Sequence, residues 1–168
     1  MEILTHYVRG LDPMPASQVH PVAQAIMTVI GRRSRYYGNR ELEPLDLSGA
    51  ESLRGIALQR ANLSGSNLLG ANLSGANLSG ASLQRANLER ADLSRVKLEK
   101  ANLKEAYLRE VNLKRATLRG ADLSGANLRR TNIAYAQLEM ANGDINTVLP
   151  DHVKTPPTSW DVKPDDLE

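Results

Sequence analysis

Leucine returns every fifth residue from Leu53 to Leu128, and Ile133 and Leu138 extend the series to 18 consecutive positions. With this position as the centre of a unit, Ala stands two places before it in 12 of the 17 units centred from Leu58 to Leu138. The exceptions, Ile56, Ser66, Val96, Val111 and Thr131, are modest in size. The place just before the centre is Asn nine times, with Asp92 and Asp122 beside them. The two places after it hold mainly Ser, Gly, Arg, Lys, Glu or Gln, so the unit reads A-N-L-x-x, as in Ala71-Asn72-Leu73-Ser74-Gly75. Leu47 lies one register earlier, displaced by a single inserted residue near Glu51.

A period of five suits no straight element. On an α-helix each repeat rotates the side chain by roughly 140°, so the leucines would spiral over the surface. On a flat strand an odd period sends successive leucines to opposite faces. To bury them together the chain must turn once per unit, and Asn, Asp and Gly at fixed offsets supply turn chemistry. Coils of such units stack at strand spacing, with Leu and the small Ala column facing a narrow interior. Leucine-rich repeats, at 20–29 residues, and the six-residue helix of acyltransferases fail on period.

Tandem A-(N/D)-L-x-x resembles the pentapeptide-repeat family over residues 45–142. The resemblance implies a right-handed quadrilateral β-helix with four units per coil. Eighteen units then make 4.5 coils, a body roughly 22 Å long at about 4.8 Å per coil. The domain expectation is a helical cap segment at 1–44, the repeat β-helix at 45–143 and an extended tail at 144–168.

Both ends of such a solenoid need a cover. Pro21 suits a first helical turn, Val22, Ala25, Ile26, Val29 and Ile30 follow at helical spacing, and Gly31 ends the helix before Arg32, Arg33 and Arg35. Ile3, Leu4, Tyr7 and Val8 form a second short amphipathic stretch. The pattern also resembles the segment preceding the repeats in longer bacterial pentapeptide proteins, some with membrane helices upstream. An independent short protein and the soluble part of a longer one both stay open. At the other end the repeat breaks at Gly143, and residues 144–160 are expected to lie extended against the last coil with Trp160 packed on it. That packing would cover the apolar Ala134, Tyr135 and Met140.

Composition narrows the chemistry. Aromatic residues are 4% of the chain with no Phe, which fits a thin aliphatic core. There is no Cys, so disulfides and thiolate sites are excluded. His6, His20 and His152 share no metal-ligand spacing, and no phosphate-loop motif or Ser-His-Asp grouping is present. The expectation is no enzyme and no cofactor. The N-terminus MEILTHYVRG lacks the pattern of a secretory signal, and no apolar run is long enough to span a bilayer, so a cytoplasmic protein is expected.

The net charge of +2 conceals an asymmetry. Residues 46–140 carry 14 basic and 9 acidic groups, residues 141–168 carry 2 and 6. Phasing by 20 residues puts Arg54, Ser74, Ser94, Lys114 and Ala134 in one column beside Gly55, Gly75, Arg95, Arg115 and Tyr135 in the next. Arg54, Arg95, Lys114 and Arg115 form the candidate interaction face. A second face mixes Glu89, Arg90, Arg109, Glu110, Arg129 and Arg130, as surface ion pairs would. The functional expectation is a non-enzymatic scaffold for another protein, as a monomer or weak dimer. The resemblance also brings an alternative, a DNA-mimicking protector of gyrase, which would need an acidic surface; binding of anionic polymers through the basic face is the third reading.

Overall fold

The computed structural model describes residues 2–15, 18–31 and 44–160. Each unit is a corner. The carbonyl of the central Leu accepts from the amide three residues on, as Leu58 does from Ala61 at 3.1 Å. From Leu47 to Leu128 the second residue after each centre lies in the left-handed region, Arg60 at φ 57° and Gly75 at φ 68° among them. That combination is a type II turn, which needs a positive φ at its third residue. Coils at the N-terminal end mostly meet this need with Gly; from Arg85 to Arg115 every such position holds Arg, Lys or Glu.

Four corners complete a coil. Parallel bridges join residues 20 apart along four ladders, for example Ala57 to Asn77 to Lys97 to Thr117 and Asn62 to Ser82 to Asn102 to Asp122 to Asn142. Each side contributes one bridged residue rather than a long strand, because the next corner follows within five residues. The amide of the central Leu donates to the coil above and the bridged residue donates to the coil below, as in Leu63 to Ser82 at 2.8 Å and Ser82 to Ala61 at 2.9 Å. Buried backbone groups are thereby paired without regular strands. The Leu and Ala columns form one continuous buried core. Within it, Ser66 Oγ is buried without a hydrogen-bond partner.

Two features depart from strict repetition. The first bridge spans 21 residues, Asp46 to Asn67, and a single 3-10 turn at Glu51–Leu53 absorbs the extra residue. Near the other end the chain after Ile133 forms a short helix, α3 (Tyr135–Glu139), in place of a left-handed corner, although Leu138 remains buried and its carbonyl still accepts from Ala141 N at 3.0 Å. The ladder then resumes at Asn142 and passes the repeat break to Val148, which bridges Asn127. Residues 144–148 therefore form part of a coil rather than an extended tail. Asp144 Oδ1 accepts from Gly125 N at 2.9 Å, a bond that a carbonyl provides in the regular coils.

Both helices read from the sequence are present: α1 (Glu2–Arg9) and α2 (Pro21–Gly31). His20 Nδ1 accepts from Ala23 N at the start of α2. Their buried faces differ from expectation. Val8, Ala23 and Met27 join the core, while Tyr7 and Val22 are exposed and Ala25 faces solvent. The four-residue step from Ala23 to Met27 is what meets the coil. The side chains of Ile3, Leu4, Val29 and Ile30, the run Arg32, Arg33 and Arg35, and residues 161–168 lie outside the described residues. Ser52 Oγ donates to Val8 O at 2.8 Å, and the Gln24 amide accepts from Ala57 N at 2.7 Å and donates to Ala57 O at 3.0 Å. Among the described residues no helix is long and apolar enough to cross a membrane.

Candidate functional site

The four basic residues singled out in the sequence come together. Arg54, Arg95, Lys114 and Arg115 line one groove of about 770 Å³ on a single side of the solenoid. The periodic backbone places them: residues 20 apart occupy equivalent points on successive coils, so the columns of Arg54 and Arg95 run side by side parallel to the axis. Gln18 and Val19, from the segment before α2, complete the groove near Arg54 and Gly55. A Cβ at Gly55, where φ is +65°, would come within 3.1 Å of Val19 Cγ2. The absence of a side chain there lets the N-terminal segment rest on the first coil. Gln18 and Val19 had carried no functional signal in the sequence, since only the tertiary contact puts them on the groove.

The lining is polar. The row Asn72, Asp92 and Asn112 forms one wall, with Ser74 and Ser94 beside it. These amides brace the corners: Asn72 Oδ1 accepts from Ser74 N, and Asp92 Oδ1 accepts from Ser94 N at 2.9 Å and from Asn112 Nδ2 at 2.9 Å. The Asn column is thus a ladder of turn-stabilising side chains, as its spacing suggested. Asp92, the one carboxylate on the groove, is engaged in that ladder.

The four cations form no ion pair among the described residues, and the same holds for Arg60, Lys97, Lys100, Arg119, Arg129 and Lys154, while six other basic residues are paired. Glu110 receives Arg130 at 3.0 Å and Arg90 at 3.1 Å, and Arg85 pairs with Glu105 at 2.7 Å. The hydrogen bonds from Arg130 and Arg90 hold the Glu110 carboxyl below its usual range. Arg109, Arg129 and Arg130 line a second, smaller depression with Asn127 and Asp151, but Glu110 already contacts two of these arginines. Four unpaired cations thus share the first groove, with Asp92 as its single carboxylate. The early glycines occupy the positive-φ position of the corners. No group of His, Asp and Glu that could hold a metal occurs among the described residues.

With this geometry established, the comparisons agree on lineage. A pentapeptide-repeat profile, in eight copies, matches residues 57–95, 86–125 and 112–142, just over half of the 168 residues. The chain belongs to the pentapeptide-repeat family, whose fold is the right-handed β-helix. It is similar to the pentapeptide repeat protein Rfr23 of the cyanobacterium Cyanothece 51142, at 29% identity over 77% of this chain and 67% of that one, with a TM-score of 0.46. A pentapeptide repeat protein of the Arabidopsis thaliana thylakoid lumen aligns at 26% identity over 58% of this chain and 70% of that one, with a TM-score of 0.49. The plasmid-mediated fluoroquinolone resistance protein QnrB1 shares the fold at a TM-score of 0.53 and 22% identity, over 71% of this chain and 58% of that one. No curated protein sequence matches the chain.

Proposed function

We propose that this chain is a non-enzymatic interaction scaffold that docks an acidic part of another protein in the groove of Arg54, Arg95, Lys114 and Arg115. The observation that carries the reading is the gathering of four cations without ion-pair partners on one rigid face. A stacked-coil backbone holds such columns at fixed spacing, which favours recognition of an extended surface over chemistry in a cleft. Asp92 is occupied by Ser94 and Asn112, which supports a binding rather than a proton-transfer role for the groove. In the same reading, residues 1–44 are the helical cap, the repeat body runs from residue 45 through the coil that reaches Val148, and the residues after it are the tail. Burial of Val8, Ala23 and Met27 in the core supports the cap.

The test is binding of a fluorescent acidic peptide by the wild type and by an Arg95→Glu/Arg115→Glu variant. Both residues are exposed, so the variant should melt like the parent. Binding should weaken as salt rises and be lost in the variant. Binding that ignores salt or the charge reversal would exclude the groove as the docking face.

A further inference from the structure

The groove has two unlike ends, and this bears on how a partner enters it. At the N-terminal end Gln18 and Val19 stand beside Arg54 and Gly55, with Val19 against Gly55. At the other end the lining stops at Lys114 and Arg115. Arg54 thus lies where the N-terminal segment meets the first coil, and the remaining three cations lie toward the open end. Resting on the function proposed above, we infer that the occupant is an acidic chain end that inserts along the solenoid axis, with its terminal α-carboxylate at Arg54.

Spacing supports this. Arg54 and Lys114 share a column three coils apart, about 14 Å at strand spacing. An extended peptide covers that distance in about four residues, so carboxylate side chains three to five places before the terminus would reach Arg95, Lys114 and Arg115. A guanidinium suits this innermost position because it can grip both oxygens of a terminal carboxylate. The Asn72, Asp92 and Asn112 side chains of the wall are engaged with the corners, and the Ser94 hydroxyl beside them can hydrogen-bond a peptide backbone. The lining contains no aromatic ring on which bases could stack, so a peptide is favoured over a single-stranded nucleic acid.

The experiment uses the full chain and two fluorescent Glu-rich hexapeptides of equal net charge. One ends in a free carboxylate; the other is amidated and carries one more internal Glu. The free-ended peptide should bind about tenfold more tightly, the effect of one charge-assisted contact. Arg54→Gln should weaken binding of both peptides, but of the free-ended one about tenfold more, so that the preference is abolished. Equal affinity for the two peptides, or a preference that survives Arg54→Gln, would overturn the terminus-first inference alone. Absence of salt-sensitive binding by either peptide would overturn the docking function itself. Tighter binding of a hexameric oligothymidylate than of either peptide would overturn the choice of a peptide ligand.

Discussion

The six-membered ring of Trp160 occupies the space that a side chain at Gly143 would need. A Cβ there would come within 2.5 Å of Trp160 Cε3 and Cζ3. The indole is buried, and its Nε1 donates toward Leu138 O at 3.3 Å and Ala141 O at 3.1 Å. The Gly that breaks the leucine series is thus the seat of the only Trp in the chain. His152 adds a second tie, with Nε2 at 2.8 Å from Ile133 O. The returning segment covers this part of the last coil but leaves Tyr135 and Met140 exposed, contrary to the expectation that it would cover them.

Gly143→Ala should therefore displace the indole. The expected cost is about 1–3 kcal/mol, the usual range for overpacking. Trp fluorescence should shift to longer wavelength in the folded variant. An emission maximum identical to that of the parent, with an unchanged denaturation midpoint, would show that the ring does not pack here.

Ser66→Ala should stabilise the fold by about 1 kcal/mol, because it removes a buried hydroxyl that lacks a partner and restores the residue usual in that column. Thr131 makes a useful contrast, since its Oγ1 donates to Leu128 O at 2.9 Å. A lower urea midpoint for Ser66→Ala would contradict the assignment.

Ala91 is buried in the middle of the stack. Replacing it by Phe should force neighbouring coils apart and cost about 1–3 kcal/mol or more. An unchanged midpoint would mean that the coil interior has room that the packed columns do not suggest.

Asp144 offers a pH test. Burial tends to raise its pKa, but hydrogen bonds from Gly125 N, Thr147 and Asn146 outweigh this and hold it below the ordinary value of 3.8. A depressed folded-state pKa contributes stability that is present above the unfolded value and is lost as pH falls through the folded value. The melting temperature should drop across that acid window, and Asp144→Asn should show a shallower drop. Parallel profiles for the two proteins would remove Asp144 from the account.

Gyrase protection is expected to be absent. The repeat body carries an excess of basic groups, with 14 against 9 in residues 46–140, and a DNA mimic needs the opposite sign. Competition with DNA for gyrase at physiological salt would contradict this.

Two glutamines show where repetition stops being informative. Gln24 in α2 offers its amide to both backbone groups of Ala57, in the manner of a bridged residue from a neighbouring coil. Gln137 in α3 donates to Leu113 O and Ala116 O, while Asn132 Oδ1 accepts from Leu113 N. Side chains thus take over, near each end, the bonds that the ladder supplies elsewhere. Nothing in the five-residue pattern distinguishes Gln137 from any other residue just before a centre.

The sequence by itself determined the buried columns, the corners of the regular units through Leu128 and the alignment of Arg54, Arg95, Lys114 and Arg115. A strict period constrains every repeat alike: once the leucines must share an interior, the outward positions follow by geometry. The tertiary structure decided that Ala23 and Met27, rather than Val22 and Ala25, face the core, that α3 replaces a corner, and that Gln18 and Val19 meet the groove. It also decided that Trp160 settles on Gly143. These are single contacts between segments far apart in the chain, made where the stack ends and unpaired backbone and open core must be satisfied. No neighbouring repeat supplies a template for them, so their partners are fixed only when the chain has closed on itself.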